Sequence, residues 1–316
     1  MSGEVDRELL WLGGGVLVVL VVASIVGAIL ARRVTTDSAR ATVGNLNDRI
    51  RAWWVMCAVF AVALLIRGVG SVLLFALISF FALREFITLT PTRHGDHRTL
   101  LWVFFVVTPI QYWLVWDDWY GLFAIFIPVF AFLLVPTRNA LTGDTEHFLE
   151  RTATIQWALM ICVYCVSYAP ALLTLEAGGD ENQGAKLLLF LVIVVQGSDV
   201  AQYIWGKLFG RHRIAPTVSP NKTWEGFLGG IATATLLGTS LWWVTPFAPW
   251  QAALMSLAIA LMGFAGGLTM SAIKRDRGVK DFGTLIAGHG GVLDRIDSLC
   301  FAAPVFFHLT RYFFAA

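Results

Sequence analysis

Ten apolar runs alternate with short polar segments along the 316-residue chain. They fall at about 9–30, 53–68, 70–89, 100–116, 121–135, 152–175, 186–206, 227–246, 249–272 and 298–314. A helix crosses a bilayer in roughly 20 apolar residues, fewer if it is flanked by groups that reach the interface. The pattern therefore predicts an all-α polytopic membrane protein with about ten transmembrane helices. The second and third runs are separated only around Arg67, Gly68 and Gly70, so they read as either a tight hairpin or one interrupted element. Pro109 and Pro128 fall inside runs and predict kinks. No repeat or low-complexity linker divides the chain. Residues 1–150 read as an N-terminal transmembrane scaffold, and 151–316 as a C-terminal transmembrane region carrying the chemistry.

Composition supports the membrane reading. Only 14% of residues are charged and 57% are hydrophobic, whereas a soluble domain carries about 25% charged residues. The first run follows an acidic start (Glu4, Asp6, Glu8) and has no clear cleavage site, so it reads as an anchor and not a signal peptide. The four cysteines all lie within apolar runs. Cys162-Val-Tyr-Cys165 has a metal or redox spacing, but its setting makes it a packing pair.

Charge sets the expected orientation. If the first helix runs outside to inside, the inner segments 31–52, 90–99, 136–151, 207–226 and 273–297 hold 18 of the 23 Lys and Arg residues. Lys and Arg concentrate on the cytoplasmic side of membrane proteins. Trp113, Trp116, Trp119, Trp242, Trp243 and Trp250 cluster near the predicted outer ends, as an interfacial belt should. The arginines of the first inner segment (Arg32, Arg33, Arg40, Arg49, Arg51) read as topology and lipid-headgroup attraction. Arg84-Glu85 reads as an interfacial charge pair, with contact to the catalytic region as the alternative.

Two inner segments carry more than topology requires. Ser271 to Asp297 packs Lys274, Arg275, Arg277, Lys280 and Arg295 against Asp276, Asp281, Asp294 and Asp297, with His289 and five glycines between them. Asp294 and Asp297 stand three apart, on one face of a helix. Adjacent carboxylates repel unless a cation holds them, and Mg2+ takes carboxylate and then phosphate oxygens. Arg and Lys suit phosphate as a fork and as a point charge. Gly288, Gly290 and Gly291 allow a sharp turn or a close backbone approach. The combination points to phosphoryl or nucleotidyl transfer. In the second segment, Asp199 sits near the inner end of an apolar run, and an intramembrane carboxylate marks a functional site by default. Ser219-Pro-Asn-Lys222-Thr223 then offers donors suited to a polyphosphate, stiffened by Pro220.

These segments resemble the signature of phosphatidate cytidylyltransferases (CDP-diacylglycerol synthases). The match runs through Ser271, Lys274-Arg275, Lys280-Asp281, His289-Gly290-Gly291 and Asp294-Arg295-Ile296-Asp297. It extends to Asp199, Tyr203, Ser219, Pro220, Lys222, Thr223, Glu225 and Gly226, covers about residues 150–316, and is closest to the bacterial paralogues of the enzyme. Three positions depart from the pattern. Gln202 stands where many members have Ala, and Ala287 replaces Pro. Gly267 stands where members carry an Asp that the resemblance assigns to the metal site.

The resemblance implies CTP plus phosphatidate giving CDP-diacylglycerol plus pyrophosphate, at the cytoplasmic face of a bacterial inner membrane. Asp294, Asp297 and Asp281 would hold Mg2+ or Mn2+, with room for a second cation. Lys222, Lys274, Arg275 and Lys280 would bind the triphosphate, together with Ser219 and Thr223. Arg295 would meet the lipid phosphate, His289 would hydrogen-bond phosphate, and Asp199 would join the catalytic set. Membrane lipids and a second copy of the chain, forming a homodimer, are the expected partners, with no nucleic acid. The competing readings are a paralogue with another nucleotide or lipid phosphate, one with impaired chemistry and a lipid-binding role, and a transporter.

Overall fold

The computed structural model describes residues 7–177, 182–286 and 290–315, with the side chain of Arg67 excepted. Helices dominate it. They are α1 (Arg7–Arg33), α2 (Asp37–Leu65), α3 (Arg67–Thr88), α4 (Asp96–Trp116), α5 (Tyr120–Ala140), α6 (Phe148–Thr174), α7 (Gln183–Phe209), α8 (Trp224–Ser240), α9 (Pro249–Asp276) and α10 (Leu293–Phe314). Each predicted run overlaps one of them, although run 53–68 crosses Ile66 into α3 and run 227–246 outlasts α8 by six residues. Among the described residues, α1, α3 (from Gly68), α4, α5, α6, α7 and α9 are long and apolar enough to cross a membrane. The chain is therefore a multi-pass, all-α membrane protein.

The uncertain second and third runs form a hairpin. Only Ile66 separates α2 from α3, and the Phe60 and Phe75 rings lie 6.3 Å apart. Fifteen residues of continuous helix would hold them about 22 Å apart. Gly70 makes the reversal possible, because a Cβ there would collide with the Ala63 carbonyl. α1 runs antiparallel along α2, with Trp54 Nε1 donating to Ser24 Oγ at 3.0 Å. The predicted proline kinks are wide π turns, at Val103–Val107 just before Pro109 and at Phe126–Ala131 around Pro128. A ring nitrogen without a proton cannot keep the ordinary ladder, and a widened turn absorbs the misfit. A third π turn carries the CxxC pair (Met160–Cys165), and its cysteines are free, with Cys162 fully buried.

One apolar core joins the two halves of the chain, running from Phe75 and Leu83 on α3 through Tyr168 on α6 and Phe190 on α7 to Phe306 and Phe307 on α10. At the loop ends of α4 to α6, Arg151 is buried against Asp144 (2.8 Å) and Asp96 (3.4 Å). Thr99, Asn139 and Thr152 form a hydrogen-bonded chain beside it.

The polar segment between α7 and α8 is not wholly irregular. It contains a small antiparallel hairpin of β1 (Arg213–Ala215) and β2 (Ser219–Thr223). Glu225 clamps its base, accepting from the Arg211 and His212 backbone N–H groups (3.0 and 3.2 Å) and pairing with His212 Nδ1 at 2.6 Å. That local network helps a stretch interrupted by Pro216 and Pro220 to pair.

Candidate functional site

The two motif segments meet where α7, the β-hairpin, the end of α9 and the start of α10 converge. α7 and α8 approach closely because glycines line the seam. A Cβ at Gly226 would lie 2.8 Å from the Gln202 carbonyl, and one at Gly230 would overlap the Gln202 side chain. Gln202 is thus accommodated by a missing side chain across the seam, and its amide donates to Ser198 Oγ at 2.9 Å. That is the structural setting of the first departure.

Asp294 and Asp297 take different roles although one helix turn separates them. Asp294 is buried. Its Oδ1 accepts from Lys274 Nζ at 2.9 Å, and its Oδ2 accepts from the Phe282 and Gly291 backbone N–H groups at 2.8 and 2.9 Å. Both oxygens are engaged in holding the signature loop onto α9 and α10. Gly290, at φ +82°, is needed at this turn, because a Cβ there would sit 2.8 Å from Asp294 Oδ2 and 3.2 Å from Asp281 Cβ.

Asp297 instead faces α7. Its Oδ1 accepts from the Ser298 backbone N–H at 2.8 Å and from Ser298 Oγ at 3.5 Å, and the same hydroxyl donates to Asp199 Oδ1 at 3.1 Å. One hydroxyl therefore bridges the carboxylates of two helices. Arg295 lies in their field, and its Nε is buried with no hydrogen-bond partner among the described residues.

Lys222 reaches this carboxylate pair from the hairpin. Its Nζ stands 4.5 Å from the centre of the Phe264 ring. A Cβ on Gly267 would meet that nitrogen at 3.1 Å, Ser298 Oγ at 3.4 Å and Asp297 Oδ2 at 4.0 Å. Gly267 thus fronts the same small space as Asp297 and Lys222. Burial lowers the Lys222 pKa and Lys274 adds to the fall, against the pull of Asp297 and Asp199.

The remaining expected residues divide. Lys274 is in the cluster, with its ammonium 5.3 Å from the Phe282 ring centre. Arg275 is exposed and donates to the Val218 and Val279 carbonyls (3.3 and 3.1 Å), tying the hairpin to the signature loop. Thr223 caps α8, its Oγ1 accepting from the Gly226 N–H at 3.2 Å, which is the ordinary work of a helix N-cap. Ser271 Oγ donates to the Gly267 carbonyl on its own helix at 2.7 Å. Ser219 begins β2 and is half-buried, while Lys280 and Asp281 are exposed on the loop after α9. His289, with Ala287 and Gly288, lies outside the described residues.

For a divalent cation the donor chemistry fits best at Asp297 and Asp199. Both are hard oxygen ligands, half-buried, and each has an oxygen not committed to a hydrogen bond among the described residues. Substrate phosphates and water usually complete such a shell. Among the described residues no group of three His, Cys, Asp or Glu side chains is gathered for a metal. The expected trio Asp294, Asp297 and Asp281 is spread over a locked carboxylate, a facing one and an exposed one.

Two residues of the site were not legible as such. Ser298 follows Asp297 and carried no signal of its own. Glu85, read as half of an interfacial charge pair, accepts from the Val292 and Leu293 N–H groups at 2.9 Å each, so the alternative contact is the one that forms. Arg84 is exposed.

The chain matches the model of the cytidylyltransferase family over residues 47–313. It is 42% identical to an uncharacterized Escherichia coli K12 protein, YnbB, over 85% of this chain and 88% of that one. It is 32% identical to a phosphatidate cytidylyltransferase of Bacillus subtilis, over 87% of this chain and 97% of the relative. A Haemophilus influenzae phosphatidate cytidylyltransferase is 42% identical over 148 residues, 43% of this chain and 48% of that one.

Proposed function

Because the chain belongs to the cytidylyltransferase family and is a membrane nucleotidyltransferase, we propose that it transfers the cytidylyl group of CTP to phosphatidate, releasing pyrophosphate and leaving CDP-diacylglycerol. The observation that carries this reading is the convergence of Lys222, Lys274 and Arg295 on the hydroxyl-bridged carboxylates Asp199 and Asp297. The lipid phosphate is already an anion near pH 7, so no base is needed to make it a nucleophile. It attacks the α-phosphorus, the α–β bridging bond breaks, and the electron pair leaves with pyrophosphate. Lys222 and Lys274 neutralise the triphosphate and its leaving group, and Arg295, whose buried Nε–H has no partner among the described residues, holds the lipid phosphate. Mg2+, bound by Asp297 and Asp199, would supply charge neutralisation at the transferring phosphoryl group.

In this reading residues 151–316 carry the chemistry and 1–150 the scaffold, and the site faces the cytoplasm with about ten spans, consistent with the Lys and Arg bias. Phosphatidate enters sideways from the inner leaflet, and a homodimer is the expected assembly. Gly267 favours a second reading, in which the same site takes another nucleotide or lipid phosphate. Purified protein with CTP, dCTP or UTP and either phosphatidate or another lipid phosphate, with and without Mg2+, tests both. Pyrophosphate release with CTP alone supports the first, and release only with another nucleotide or lipid supports the second. No release with any pair would overturn both.

A further inference from the structure

Glu85, on the first half of the chain, reaches into the signature segment, and two hydrogen bonds fix it there. Its two oxygens accept separately from the Val292 and Leu293 N–H groups, at the start of α10. Those donors have no partner within the helix. Two glycines of the signature segment exist to admit it: a Cβ at Gly283 would lie 2.6 Å from Glu85 Oε1, and one at Gly291 would overlap its carboxylate. The neighbouring Phe86 stacks on Phe282 with ring centres 6.2 Å apart. Phe282 is the residue whose N–H holds Asp294 and whose ring lies beside Lys274. The end of α3 thus grips both sides of the loop that sets Asp294, Arg295 and Asp297.

We propose that Glu85 is a positioning residue for the transfer reaction, fixing the start of α10 so that Asp297 and Arg295 meet the reacting phosphates in register. The proposal rests on the function proposed above. Lys222 meets the nucleotide from the hairpin, where its ammonium packs on Phe264 and not on the segment that Glu85 holds, so loss of Glu85 acts mainly on the chemical step. In Glu85→Gln the side chain keeps its size, but its amide nitrogen faces a backbone donor.

The expected result is a fall in kcat of about 10-fold or more, the scale for a small misplacement of reacting groups, with KM for CTP unchanged. Hydrogen exchange of the Val292 and Leu293 amides should quicken in the same variant. Gly291→Ala should destabilise the wild-type protein, through collision with Glu85, and do far less in the Glu85→Ala background. An unchanged kcat per folded molecule, with only a lower melting temperature, would reduce Glu85 to a structural cap and overturn the proposal. So would additive effects of the two substitutions. If the wild-type protein shows no transfer activity, the proposed function fails, while the exchange and double-variant measurements still decide whether Glu85 holds α10.

Discussion

Asp294→Asn separates the two aspartates of the signature most sharply. The Asp294 side chain is 2% exposed and that of its partner Lys274 is 12% exposed. In the variant one amide oxygen can still accept from the Phe282 and Gly291 N–H groups, but the amide nitrogen then faces the Lys274 ammonium at the former 2.9 Å contact. Breaking a buried ion pair from one side costs about 3–5 kcal/mol. Because Lys274 keeps some access to water, the lower end, about 3 kcal/mol, is the expected loss. That is a large share of the ~5–15 kcal/mol that holds a typical domain together. Thermal unfolding in detergent, followed by tryptophan fluorescence, should show Asp294→Asn melting several degrees below wild type, with turnover lost as the loop opens. Asp297→Asn should melt close to wild type yet lose ~100-fold or more in turnover, the usual scale for a charge clamp in the transition state. The reasoning is refuted if Asp294→Asn melts with wild type and loses activity solely through a raised Mg2+ requirement. Asp294 would then be a metal ligand and not a lock.

Gly267→Asp places a carboxylate beside Asp297 and Lys222, where the nearest atom is the movable end of a lysine. Half-maximal rate should come at about 10-fold lower Mg2+, since a third hard ligand strengthens the site; an unchanged Mg2+ dependence in a folded variant excludes Gly267 as a vacated metal position. Lys222→Ala should weaken CTP binding and slow transfer, whereas Arg49→Ala should leave both intact, as binding and single-turnover measurements would register. Because the Lys222 pKa is lowered by burial, its charge is lost at a lower pH than the ordinary value of about 10.4. The alkaline arm of the pH–rate profile should therefore fall below that value and move upward in Lys222→Arg. Single cysteines at Thr217 and Gly278 should be shielded from an impermeant thiol reagent in sealed cells, and one at Glu176 should react; the reverse pattern inverts the topology.

The sequence by itself determined the helices and the two polar segments in which the motif residues gather. Apolar runs near bilayer length must close their backbone hydrogen bonds within themselves, so each becomes a helix wherever it packs. Motif spacing likewise placed Lys222, Lys274, Asp294 and Asp297 in two neighbouring polar segments. Spacing along one helix could not tell Asp294 from Asp297. The difference lies in what each carboxylate meets: two backbone N–H groups and a lysine for Asp294, a hydroxyl shared with Asp199 for Asp297. Whether 53–89 turned back or ran on depended on the approach of Gly70 to Ala63, and the pairing of 213–223 on the Glu225 clamp. Glu85 is the clearest case of what only the tertiary structure decided. More than 200 residues separate it from Val292 and Leu293, and nothing local predicts that a carboxylate ending one span will cap another. That partnership exists because α3 and α10 share a core, which brings an acidic side chain level with two unpaired N–H groups and the glycines that make room for it.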